Sequence, residues 1–195
     1  MHKYEVKTME FYVDKVLYTA RPEEKRTPNE ELVYDALEKL GISFHRADHD
    51  AANTIADCLL VEEVLQGKIC KNLFLCNRQK TNFYLLLMPG DKPFKTKDIT
   101  QQIQSARLSF ASGEDMERML GCTPGSASVL GLLFDKEHQV NLLIDEELLR
   151  DETMCCHPCK NTSTLKLSME DVLKILLPHT GHAPRMVDLP RYDEQ

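Results

Sequence analysis

Two apolar runs, ICKNLFLC over 69–76 and NFYLLLM over 82–88, stand five residues apart, and nothing else in the chain restricts its fold as tightly. The linker NRQKT is polar and too short to hold a crossover helix. The two runs are therefore expected to pair antiparallel, as a hairpin.

Helices and strands alternate around this hairpin. In TPNEELVYDALEKLG, Thr27 reads as an N-cap, Pro28 as the first helical residue and Glu30 as the partner that completes a capping box. Leu32, Val33, Ala36, Leu37 and Leu40 recur at helical spacing, and Gly41 ends the helix. ISFHRAD reads as a strand. Thr54 caps IADCLLVEEVLQ, which Gly67 ends. TKDITQQIQ is helical, ARLSFA is extended, and Ser112 caps GEDMERML with Gly121 as its stop. CTPGSAS is a loop punctuated by Pro and Gly. VLGLLFD, VNLLID, TMCCH and TLKLS read as further strands. Ser168 opens the helix MEDVLKILL, and TGHAPRMVDLP is a tail with one terminal strand.

The expected class is α/β of the α+β type. It is a single domain with a mixed, largely antiparallel sheet of about six or seven strands, flanked by four or five helices. Residues 1–26 form an N-terminal extension, 27–190 the domain and 191–195 a tail.

With 195 residues the chain can bury a core without metals or disulfides. No apolar run is long enough to span a bilayer, and the N-terminus lacks a signal-peptide core, so a cytoplasmic protein with no membrane contact is expected. Seven cysteines cannot all pair within the chain, and reduced thiols are expected. A net charge of -7 argues against a general nucleic-acid binder. Yet 68–107 carries eight basic residues against two acidic ones, a stretch suited either to a phosphate backbone or to solvated turns.

The cluster TMCCHPCK invites a metal reading. Structural zinc takes four ligands, commonly from two separated knuckles. Here Cys156-x-x-Cys159 has no second knuckle, and on a strand Cys155 and His157 would share one face with Cys156 opposite. No metal or cofactor is therefore expected. Phosphate-loop, dinucleotide, zinc-protease and serine-hydrolase motifs are absent from the sequence. Two residues stay open on residue chemistry alone. His157, before a proline, is either an edge histidine or a site residue. Lys71, inside an apolar strand, either snorkels at a sheet edge or stands at a pocket floor.

Six segments in order resemble one family: ALEKLGISFHRADHD, CKNLFL, ARLSFAS with LGCTPGSAS, NLLIDEELL, HPCKNTSTLKLS and TGHAPRMVDL. From about Asn29 to Leu189 the chain resembles the YbaK/ProX-type proteins, free-standing relatives of the prolyl-tRNA synthetase editing domain. Cys70-Lys71-Asn72, the RLSFA segment, and His157-Pro158 followed by Asn161-Thr162 resemble the branch that deacylates alanyl-tRNA(Pro).

The resemblance implies ester hydrolysis of mischarged aminoacyl-tRNA without metal, aided by the substrate's own 2′-hydroxyl. It implies Lys71, Gly125, Ser126 and His157 as catalytic residues, with peptide N–H groups around Gly125 and Ser126 receiving the oxyanion. Asn72, Ser109, Phe110 and Ser128 would bind substrate. Lys68, Lys80 and Arg107 would bind the tRNA(Pro) acceptor stem, and prolyl-tRNA synthetase is an implied partner. The family's Gly-x-x-x-Pro loop reads here Gly125-Ser126-Ala127-Ser128-Val129, with valine at the proline position, which leaves the loop's rigidity open. Two other readings are a non-catalytic tRNA- or synthetase-binding module of this fold, and a zinc- or redox-responsive protein built on Cys155, Cys156, His157 and Cys159.

Overall fold

The computed structural model describes residues 11–52 and 54–192. Expectations for residues 1–10 of the extension and 193–195 of the tail lie outside the described residues. Helix α1 (Pro28–Leu40) starts at a complete capping box between Thr27 and Glu30 and ends on Gly41 at φ 67°. Its inner face is Glu30, Val33, Tyr34 and Leu37, while Leu32 is exposed.

Strand β1 (Phe44–Asp48) follows, then α2 (Ile55–Leu65), β2 (Cys70–Asn77), β3 (Phe83–Pro89), α3 (Thr96–Ile103), β4 (Leu108–Phe110) and α4 (Gly113–Leu120). After α4 come β5 (Val140–Asp145), β6 (Thr153–Cys156) and β7 (Ser163–Ser168). The last helix is made of α5 (Met169–Asp171), a π-helical turn (Val172–Leu176) and α6 (Leu177–Thr180), and β8 (Arg185–Val187) follows it.

β2 and β3 form the hairpin, with Leu73 opposite Leu86. The strands divide between two sheets. One runs β4-β2-β3-β5-β8, antiparallel across β4, β2 and β3 and parallel from β3 to β8. The other is antiparallel β1-β7-β6. The main core lies between them, built from alternate residues of both, such as Phe74 and Leu85 from one and Met154 and Leu165 from the other, closed by α1 and α4. On the outer face of the larger sheet, Leu75, Leu86 and Leu143 pack against Ile99 and Ile103 of α3. On the outer face of the smaller sheet, Ala47 and Cys155 pack against Val61 and Leu65 of α2.

The run VLGLLFD is not a strand. Val129–Leu133 is a 3₁₀-helix whose first turn is capped by the Ser128 hydroxyl, which accepts from the Leu130 N–H. A short, fully buried apolar run carries no period by which helix and strand can be told apart. Packing decides it here, because a Cβ at Gly131 would come within 2.8 Å of the Leu120 carbonyl oxygen.

Residues 11–26 lie along β1. Val13 bridges His49, and Tyr18 and Arg46 exchange main-chain hydrogen bonds of 2.9 and 2.7 Å. No helix among the described residues is long and apolar enough to cross a membrane.

Candidate active site

β4 covers the edge of β2 only from Leu75 to Asn77. Between that pairing and the bridge from Ile69 to Cys155, the edge of β2 is left open, and Ile69–Phe74 form one wall of a cavity of 420 Å³. The other walls are Phe110 and Ala111, Gly113 and Met116 of α4, the loop Pro124–Ala127, and Cys156 with His157. The lining is mostly apolar, with Lys71, Asn72 and His157 as its polar side chains. The two sheets meet at this point, since the Cys155 N–H donates to the Lys68 carbonyl at 3.1 Å.

The loop is shaped by a turn. Ser126 N–H donates to the Thr123 carbonyl at 2.9 Å, Pro124 takes the second position, and Gly125 the third at φ 86°, the arrangement of a type II turn. The Ser126 N–H is therefore spent on the turn. Its hydroxyl, fully buried, bonds the carbonyls of Thr123 at 2.9 Å and Cys159 at 3.0 Å. Ser126 thus stands behind the wall and ties the loop to the His157 segment. Within Pro124–Ala127 the N–H groups of Gly125 and Ala127 have no hydrogen-bond partner among the described residues, and both residues line the cavity.

Lys71 is half-buried, and its ammonium donates to the main-chain carbonyl of Lys92 at 2.7 Å. Burial holds it below the ordinary lysine range. Asn72 lines the cavity, but its amide is occupied: Oδ1 accepts from Val129 N–H at 2.9 Å, and Nδ2 contacts the carbonyl and sulfur of Cys70, each at 3.2 Å.

His157 lies just past the end of β6, so it leaves the strand alternation and joins Cys156 at the wall, while Cys155 points to the opposite face. Its Nδ1 lies 2.9 Å from the Ser163 carbonyl. A carbonyl only accepts, so Nδ1 carries the proton and Nε2 keeps a free lone pair. Thr164 Oγ1 sits 3.2 Å from the same nitrogen and 2.8 Å from Nε2 of His49, whose Nδ1 donates to the Asp50 carbonyl at 2.7 Å. Burial pushes His157 down to about 4, and also lowers His49. Both imidazoles are neutral at pH 7.

Among the residues marked in the sequence, the cavity brings together Lys71, Asn72, Phe110, Gly125 and His157. Phe110 stands at the rim, 62% exposed. Ser109 is exposed on β4 outside the lining, and Ser128 is buried as a helix cap. Lys68 is exposed near Asp151, Lys80 donates to Asp115 at 2.7 Å, and Arg107 lines a separate groove with Lys97 along α3. The basic stretch is therefore not one free patch, and its Lys92 is buried against Asp145. Sequence reasoning missed Met116 and Ala127, which carry no polar signal and face the cavity only through the fold, and it weighed Cys156 only as a metal or redox residue. The cysteines of the CCHPC cluster are all buried as free thiols, and among the described residues no three His, Cys, Asp or Glu side chains converge as a metal-binding group.

Comparisons with known proteins agree with this architecture. The chain is 31% identical over 140 residues to the prolyl-tRNA editing protein ProX of Acetoanaerobium sticklandii, covering 72% of this chain and 85% of that protein. It is 32% identical over 152 residues to the mouse prolyl-tRNA synthetase associated domain-containing protein 1, covering 76% and 89%. The crystal structure of a candidate trans-editing enzyme for prolyl tRNA synthetase superposes with a TM-score of 0.58 at 18% identity, over 85% of this chain and all of that one, which shows a shared fold. The family model for the aminoacyl-tRNA editing domain matches residues 49–175, and the chain belongs to that family.

Proposed function

We propose that the chain is a trans-editing deacylase that hydrolyses the ester of mischarged aminoacyl-tRNA, with alanyl-tRNA(Pro) as its substrate. One observation carries this reading: Lys71, Gly125 and His157, far apart in sequence, stand on the walls of one small, largely apolar cavity.

Ester hydrolysis develops negative charge on the carbonyl oxygen. Peptide N–H groups held in place before the reaction stabilise that charge, typically by ~3 kcal/mol per donor. Here the donors are the N–H groups of Gly125 and Ala127, which replace the pair centred on Ser126. The Lys71 ammonium meets the negative terminal phosphate. His157 at pKa about 4 is too weak a base to strip a proton from water unaided. Its Nε2 lone pair accepts a hydrogen bond from the 2′-hydroxyl or the attacking water and so orients it. The apolar lining suits a methyl side chain. A synthetic site made for proline excludes alanine poorly, because a missing methylene is worth only ~1–3 kcal/mol, and a second, smaller hydrolytic cavity corrects the error.

A deacylation panel tests this. Purified protein is expected to release alanine from alanyl-tRNA(Pro) and to leave prolyl-tRNA(Pro) intact, and Lys71→Ala to abolish release with an unchanged circular dichroism spectrum. Full activity in Lys71→Ala would remove Lys71 from the mechanism. Tight tRNA binding without turnover would favour a non-catalytic module instead.

A further inference from the structure

Lys71 does not hold its own position. Its ammonium is fixed by the main-chain carbonyl of Lys92, in the turn that follows β3. That turn is built for close approach: a Cβ at Gly90 would come within 2.1 Å of the Ile69 carbonyl oxygen, so the turn lies directly against the start of β2. What anchors it is the Lys92 side chain, 1% exposed, whose Nζ lies 2.8 Å from Asp145 and 3.0 Å from Glu147. A lysine buried this way is stable only while its carboxylate partners stay in place.

One of those partners, Glu147, is held in turn by Arg191. Arg191 reaches Glu147 at 2.6 Å and Asp91 at 3.1 Å, bridging a partner of Lys92 to the residue beside it. Tyr192 adds a second clasp, with its hydroxyl donating to Asp98 and the Lys95 ammonium 3.4 Å over its ring. Arg191 and Tyr192 lie beyond residue 175, where the match to the family model ends, while their partners lie within it.

We propose that Lys92 and Arg191 are positioning residues for Lys71, and that the segment around Arg191 and Tyr192 completes the editing site. The activity arm of the test rests on the function proposed above. The chain of contacts runs from Arg191 through Glu147 and Asp91 to Lys92, and from the Lys92 carbonyl to the Lys71 ammonium. Loosening either link lets that ammonium wander, and misplacement by about 1 Å costs up to ~100-fold in rate.

The test compares Arg191→Ala, Arg191→Lys and Lys92→Met in the full chain by two readouts. The first is kcat and KM for alanyl-tRNA(Pro). Arg191→Ala is expected to lower kcat by about tenfold with little change in KM, Arg191→Lys to recover part of it, and Lys92→Met to lose more. The second needs no activity: the 15N signal of the Lys71 ammonium, assigned with Lys71→Arg, whose protons exchange slowly with water while the carbonyl holds them. Exchange is expected to accelerate several-fold in Arg191→Ala. Lys92→Met removes a buried ion-pair partner and is read only if it folds, whereas Arg191 sits at the surface and its variant is expected to fold. Unchanged exchange and an unchanged kcat in Arg191→Ala would overturn the proposal. If wild-type protein deacylates nothing, the function fails while the exchange readout still decides whether Arg191 positions Lys71.

Discussion

The main-chain N–H of Val129 donates to Oδ1 of Asn72 at 2.9 Å, joining the cavity loop to β2 across 57 residues of sequence. Proline at this position, as in the family pattern, has no N–H to give. Valine therefore supplies by a hydrogen bond the fixation that a proline ring supplies by its locked dihedral. Asn72, expected to bind substrate, has its amide oxygen engaged with the loop that carries Gly125. Asn72→Ala leaves the Val129 N–H buried and unpaired, which costs about 1–3 kcal/mol. The expected outcome is a lower urea midpoint together with a fall in kcat. A variant with wild-type stability and impaired activity would return Asn72 to the substrate.

Gly125 makes a second, separable demand on the same loop. At φ 86° the residue needs the left-handed region, while the space beside it is open enough, since a Cβ would meet only Asn161 Nδ2 at 3.4 Å. Gly125→Ala is thus expected to cost about 1–2 kcal/mol through backbone strain alone. Any relaxation of the turn re-aims the Gly125 and Ala127 N–H groups, so kcat falls by more than stability explains, toward the ~100-fold loss typical of a missing oxyanion donor. Single-turnover rates at saturating substrate, beside thermal melts, separate the two effects.

How much of this was legible in the sequence follows the range of the forces involved. The α1 capping box, the β2–β3 hairpin and the Ser112 cap of α4 are local, and the residues announce them. The division into two sheets is not local, because β1 pairs with β7 across more than a hundred residues. Lys71, Gly125 and His157 were singled out through the family's motifs, and the fold sets all three around one cavity. That the Ser126 N–H is spent within the turn is visible only in the turn geometry. Lys92 gives no sign in sequence that it is buried, because Asp145 and Glu147, which make its burial possible, lie more than fifty residues away.

Met116 lines the cavity from α4, and on the function proposed above it bounds the space for the amino-acid side chain. Shortening it enlarges the hollow without touching a polar group. Met116→Ala is expected to admit prolyl-tRNA(Pro) as a substrate. Discrimination by size alone is worth only ~1–3 kcal/mol, so the preference for alanyl over prolyl esters should fall by about 10- to 100-fold. The measurement is the ratio of kcat/KM values for the two aminoacyl-tRNAs. If the ratio holds while overall activity drops, selection occurs elsewhere in the cavity.

The pH dependence follows from His157. Burial lowers its pKa to about 4 from an ordinary 6.5, so the folded protein resists protonation that the unfolded chain accepts. Between those two values the unfolded state binds more protons, and stability must fall as pH decreases, by roughly 1.4 kcal/mol per pH unit from this one group, levelling off below about 4. His49, lowered for the same reason, acts in the same direction. In His157→Asn, a side-chain amide can still donate to the Ser163 carbonyl but does not titrate. Its urea midpoint is therefore expected to decline less than that of wild type between pH 7 and pH 5. Kinetically, the neutral imidazole persists well below 6.5, so kcat/KM of the wild-type protein is expected to stay level through pH 6 and bend only as pH approaches 4. An acid limb centred at 6.5 would mean that the histidine in the cavity is far better solvated than its contacts with Ser163 and Thr164 allow.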